Sequence, residues 1–168
     1  MMKRFVFMGV SGCGKSSVGA AFTARIGADF VDGDDLHPQS NIAKMAKGIP
    51  LDDKDRAPWL AIVGQSFKDS ARPLGIACSA LKRHYRDTIR ENAGGPVTFV
   101  HLHGIQEMIA QRMAARADHF MPTGLLDSQF ATLEALGDDE QGVVVDVTQN
   151  LEDIVAALVT RIGVETQT

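Results

Sequence analysis

The chain has 168 residues, 45% of them apolar and 23% charged, with a formal net charge of −4 and a pI near 5.7. These proportions fit a globular protein with a substantial core, expected as a single domain over 1–168. The acidic balance argues against a general nucleic-acid surface, and no apolar stretch approaches the roughly 20 residues that span a bilayer, so neither nucleic acid nor membrane is an expected partner.

The opening Met1-Met2-Lys3-Arg4 leads into an apolar run that predicts a buried strand over 4–8. Glycine interrupts that run too early for a secretory leader, which points to the cytoplasm. Two cysteines, Cys13 and Cys78, are expected to stay reduced there.

Directly after the first strand stand Gly9, Val10, Ser11, Gly12, Cys13, Gly14, Lys15 and Ser16. Their order is that of a phosphate-binding loop, a P-loop. Glycines let successive backbone N–H groups turn inward as an anion nest, Lys15 reaches β- and γ-phosphates, and the Ser16 hydroxyl ligates Mg²⁺. A helix predicted over 17–26 carries Val18, Ala21, Phe22 and Ile26 on one face and adds its positive N-terminal end.

A second strand, 29–32, runs into Asp32-Gly33-Asp34-Asp35-Leu36-His37-Pro38. Carboxylates gathered at a strand end call for a cationic or polar partner. Asp32 suits Mg²⁺ held through water, and Asp34 suits proton abstraction from a substrate hydroxyl. The alternative is a solvated acidic turn that caps the following helix. His37 competes with Asp34 for the role of base but reads equally well as part of a turn.

Helices are then expected over 39–47 and 55–71, and Trp59, next to Pro58, reads as packing rather than base stacking. A third strand over 74–78 leads to Lys82-Arg83-His84-Tyr85-Arg86-Asp87 in a helix over 82–92. Helical spacing puts Lys82, Arg86 and Arg90 on one face. A guanidinium there would grip a carboxylate-bearing substrate, whereas the plain alternative, favoured for Arg90, is an ion-paired solvated face.

Strands over 97–102 and 143–147 and helices over 105–116, 125–136 and 151–162 complete the pattern. Arg112 and Arg116, four apart, end one helix where a lid would fall, at about 112–125. They would close over phosphates, or else simply compensate a helix dipole. The alternation of strands and helices predicts an α/β fold, a doubly wound parallel five-stranded sheet of the P-loop NTPase type flanked by helices, with a mobile lid and ligands at the strands' carboxyl ends.

Beyond the P-loop and the acidic turn, the chain carries Asn41-Ile42-Ala43-Lys44-Met45, Gly48-Ile49-Pro50-Leu51-Asp52-Asp53, Asp55-Arg56-Ala57-Pro58-Trp59-Leu60, Cys78 to Asp87, and Leu125-Leu126-Asp127-Ser128-Gln129-Phe130-Ala131-Thr132-Leu133-Glu134. Together these stretches resemble the gluconokinase family, small P-loop kinases akin to shikimate and adenylate kinases, over nearly the whole chain. The resemblance implies ATP- and Mg²⁺-dependent phosphorylation of D-gluconate at its 6-hydroxyl by a cytoplasmic enzyme, commonly a homodimer. It implies catalytic roles for Lys15, Asp34 and Arg116, and nucleotide contacts from the loop and Arg112. It also implies a substrate-binding segment over about 32–60, with Asp34, His37, Lys44 and Arg56 joined by Lys82 and Arg86 in contact with the substrate. Two positions depart from the family's habit: Cys13 replaces a frequent serine, and Asp118 replaces a glycine at the lid hinge. A kinase of another small metabolite, such as shikimate or a nucleoside monophosphate, and a nucleotide-binding regulatory module are the alternatives.

Overall fold

The computed structural model describes residues 3–115 and 123–163. Five strands form one sheet: β1 (Arg4–Met8), β2 (Asp29–Asp32), β3 (Leu74–Ala77), β4 (Thr98–His103) and β5 (Gly142–Asp146). Their spatial order is β2-β3-β1-β4-β5 and every pairing is parallel. Parallel neighbours require crossovers, which the helices supply. These are α1 (Lys15–Ile26), α2 (Gln39–Ala46), α3 (Asp53–Asp69), α4 (Arg83–Ala93), α5 (Gln106–Ala115), α6 (Thr123–Thr132) and α7 (Leu151–Ile162). Among the described residues, no helix is long and apolar enough to cross a membrane.

The two-residue period of β1 divides the core. Phe5 and Phe7 point into a layer with Val18, Phe22, Val100 and Leu158, whereas Val6 and Met8 enter the opposite layer with Leu60, Val63, Phe67 and Ile76. Phe22 meets the edges of both Phe5 and Phe7, at centroid distances of 5.1 and 5.8 Å. A strand apolar on both faces belongs at the centre of a parallel sheet, and β1 lies there.

Strand register then carries the chemistry to one edge. Phe7 of β1 and Asp32 of β2 both pair with Ala77 at the end of β3, so the loops after these three strands start side by side. Gly33 is obligatory at this junction, since a Cβ there would lie 2.3 Å from the Ala77 carbonyl oxygen.

Strands 4–8 and 29–32 and helix 151–162 match the expected bounds, and the other elements differ by one to four residues at one or both ends. The larger shifts have local causes. Helix α3 starts at Asp53 rather than 55 because Asp52 and Asp55 form a reciprocal capping box, each carboxylate accepting the other's backbone N–H. Helix α6 ends at Thr132 rather than 136, where the Glu134 N–H turns to the Leu81 carbonyl at 2.7 Å.

Candidate active site

At the P-loop, Gly9, Gly12 and Gly14 all take positive φ, of 145°, 80° and 94°. Gly14 is the N-cap of α1, no side chain caps that end, and the first turn holds no acidic residue. The helix therefore offers uncapped N–H groups and a positive end to an anion. Lys15 hydrogen-bonds through its ammonium to the carbonyls of Gly9 and Val10, at 3.1 and 3.0 Å, and so lies across the loop. Val10 and Cys13 turn inward and are buried in the core layer with Val18.

The acidic turn meets this loop. Ser16 Oγ donates to Asp32 Oδ2 at 2.9 Å, while Asp32 Oδ1 accepts the Asp34 N–H at 3.0 Å. One carboxylate thereby ties the hydroxyl after the lysine to the backbone that presents Asp34. The pair suits Mg²⁺, which is typically held by one or two protein oxygens and completed by phosphate and water. Burial in the cleft wall raises the pKa of Asp34, and the neighbouring Asp32 charge adds to the effect.

Ser11, Lys15, Ser16, Asp32 and Asp34 line the wall of a cleft of about 270 Å³ together with His37 and Arg56. Trp59 forms part of that wall. Its indole Nε1 donates to the Gly33 carbonyl at 2.8 Å, and its ring stacks on His37 at 4.1 Å with 17° between planes. Trp59 is thus packing, as expected, but packing that shapes the cleft. Arg56 reaches the Tyr85 hydroxyl at 3.4 Å.

Other expected contacts differ. Arg86 does not face the cleft. It is fully buried, with its guanidinium on both oxygens of Glu140 at 2.8 and 3.0 Å and on the carbonyls of Ala80, Leu81 and Ala135. A guanidinium so committed has no donor left to offer a substrate, and the substrate role read for Arg86 is corrected to a structural one. Lys44 closes a salt bridge to Asp55 at 2.8 Å and braces α2 on α3. Lys82 stands at the start of α4, outside the cleft lining, with its ammonium 3.4 Å from Asp53 and 5.4 Å from the Tyr85 ring centroid. Arg90 is ion-paired, to Asp87 and Glu140.

Arg112 donates to the Val147 carbonyl just past β5. Arg116 and Asp118, with the middle half of the expected lid, lie outside the described residues. Cys13 is less reactive than its position in the nest suggests: burial raises its thiol pKa, outweighing the opposing charge of Lys15. Cys78 is pushed up to about 12 by burial.

Gln129 of α6 was not foreseen. Its side-chain oxygen accepts the Ser11 N–H at 2.6 Å and its amide donates to Ser11 Oγ at 3.0 Å. A helix far along the chain thus clasps the P-loop. The only sequence signal was the Ser128-Gln129-Phe130 stretch within the family-like segment.

Comparison with known proteins agrees with this geometry. No protein-family model matches the chain. The thermoresistant gluconokinase of Escherichia coli (strain K12) is 46% identical over 164 residues, covering 92% of this chain and 90% of that protein. A crystal structure of a gluconokinase from Sinorhizobium meliloti 1021 aligns with a TM-score of 0.86 at 49% identity, over 95% of this chain and 93% of that one. The shikimate kinase of Aquifex aeolicus vf5 aligns with a TM-score of 0.54 at 14% identity, over 95% and 96% of the two chains, a likeness of fold alone. With relatives this similar over nearly its whole length, the chain belongs to the gluconokinase family.

Proposed function

We propose that the protein transfers the γ-phosphoryl group of ATP to the 6-hydroxyl of D-gluconate, giving 6-phospho-D-gluconate and ADP. The observation that carries this reading is the 2.9 Å contact between Ser16 and Asp32, which brings a phosphate-binding loop and an acidic acceptor turn into one cleft. Gluconokinase relatives supply the acceptor's identity.

In this reading the P-loop N–H groups and the N-terminus of α1 hold the triphosphate, and Lys15 turns its ammonium toward the β- and γ-oxygens. Mg²⁺ held by Ser16 and Asp32 would neutralise charge on those oxygens. Asp34 takes the proton of the 6-hydroxyl as the new O–P bond forms and the bond to the β-phosphate bridging oxygen breaks. Its raised pKa suits the task, because a stronger base holds the transferred proton better at neutral pH.

Arg56 presents its guanidinium to the gluconate carboxylate, and His37 meets a hydroxyl along the chain. Arg112, with Arg116, closes a lid over about 112–125 and stabilises the charge of the moving phosphoryl group. Lys82 serves as a further cation for substrate or phosphate. A cytoplasmic homodimer completes the proposal, supported by the family resemblance.

The test is a crystal complex with gluconate and a non-hydrolysable ATP analogue. The reading expects the 6-hydroxyl within hydrogen-bonding distance of Asp34 and the carboxylate on Arg56. A substrate bound in the opposite sense, with its carboxylate beside Asp34, would overturn it.

A further inference from the structure

His37 lies on the cleft wall, and its position is unusually determined. One face stacks on Trp59, and Nδ1 lies 3.2 Å from the side-chain nitrogen of Asn41, one helical turn further on. Asn41 is 1% exposed and directs the same nitrogen to the backbone carbonyl of Asp55, at 2.9 Å. A backbone carbonyl only accepts, so the atom facing it must be the amide NH₂ rather than the amide oxygen. One hydrogen goes to Asp55 and the second to His37. Nδ1 must then be the acceptor, and a neutral ring carries its proton on Nε2. Among the described residues Nε2 has no partner. A charged ring would set its Nδ1–H against the Asn41 N–H. Burial also lowers the His37 pKa, against the nearby Asp34 charge and with that of Arg56.

We propose that Asn41 is a positioning residue of the acceptor site: its buried amide locks His37 into the Nε2–H tautomer, so that the imidazole meets the substrate as a neutral hydrogen-bond donor. This rests on reading the cleft as the gluconate site. The donor lines the same cleft as Arg56 and Asp34, where a polyhydroxylated chain offers oxygen lone pairs. A neutral donor binds a hydroxyl without placing a second positive charge beside Arg56 or attracting the Asp34 carboxylate that must receive a proton. Asn41 touches no substrate itself and acts through His37.

Two measurements test this. The first is a long-range ¹H–¹⁵N spectrum of the ¹⁵N-labelled full chain at neutral pH, with His37 assigned from its loss in H37Q. The expected pattern is a pyridine-like Nδ1 and a pyrrole-like Nε2, giving way in Asn41→Ala to averaged or imidazolium-like shifts. A wild-type ring protonated on Nδ1, or a pattern that N41A leaves unchanged, would overturn the proposal. The second is a kinetic cycle of N41A, H37A and the double variant. Each single change is expected to raise the gluconate KM roughly three- to tenfold, the loss of one neutral hydrogen bond, with the ATP KM unchanged and the double variant no worse than H37A. Additive losses, or equal losses for ATP, would make Asn41 a structural brace and sink the idea. If N41A does not fold, the wild-type spectrum still decides the tautomer. Absence of gluconate-dependent turnover in the wild type would refute the substrate reading alone, because the spectrum requires no substrate.

Discussion

Replacing Arg86 with alanine separates a core residue from a substrate ligand. The change strips Glu140, whose side chain is 1% exposed, of a two-point partner and leaves Arg90 as its remaining cation. It also takes a donor from the buried Ala80 carbonyl, whereas the Leu81 carbonyl keeps the Glu134 N–H. Breaking a buried ion pair from one side costs about 3–5 kcal/mol, and the retained Arg90 argues for the lower end, about 3 kcal/mol. For a chain of this size that is a fall of roughly 6–12 °C in unfolding midpoint.

The pH dependence of the whole Glu140 cluster has a comparable magnitude. Burial works to raise the Glu140 pKa, but hydrogen bonds from Arg86, the Gly137 N–H and Arg90 outweigh it and hold the group at about 2, against an ordinary 4.5. A carboxylate depressed on folding contributes its full stabilisation above the unfolded value and loses it as pH falls through the folded one. The wild type should therefore lose about 3 kcal/mol between about pH 4.5 and pH 2, at about 1.4 kcal/mol per unit. Urea unfolding followed by the fluorescence of Trp59, the single tryptophan, measures both quantities. R86A should be destabilised at neutral pH, with a flatter acid limb and a nearly unchanged gluconate KM in the folded fraction. Full stability with a strongly raised gluconate KM would return Arg86 to the substrate and refute the reasoning.

Two further outcomes are expected. Asp34→Asn should lower kcat by about 10²–10⁴-fold, the usual range for a lost general base. Because the Asp34 pKa is raised and only the ionised form accepts a proton, the wild-type rate should fall as pH drops through a value above the ordinary aspartate range. That limb should vanish in D34N, and a pH–rate profile checks both points. Trp59→Phe removes the donor to the Gly33 carbonyl but keeps a ring against His37. It should cost about 1 kcal/mol of stability and raise the gluconate KM more than the ATP KM, as urea titration and steady-state kinetics would show.

What the sequence revealed and what it hid follow from range. The P-loop is a contiguous motif whose chemistry resides in its own backbone, and the acidic turn follows its strand directly, so both were legible before any fold was known. The apolar run of β1 and the βα rhythm likewise gave the sheet. Arg86 was misread because helical spacing groups Lys82, Arg86 and Arg90 on one face but does not reveal which way that face turns. Its partner, Glu140, lies 54 residues on, in a loop with no periodic signal. Gln129 reaches Ser11 across 118 residues, a separation beyond any local pattern. The start of α3 was visible in principle, since Asp52 and Asp55 stand three apart in capping-box spacing, with aspartate in place of the usual glutamate.

The most direct test of the transfer site is ADP release by the purified protein with ATP and Mg²⁺, offered gluconate, shikimate, nucleosides and nucleoside monophosphates in turn. The account predicts turnover that depends on gluconate, with a product phosphorylated on the terminal 6-hydroxyl. Turnover with another acceptor well above that with gluconate would contradict it, as would ATP binding with no gluconate-dependent ADP release.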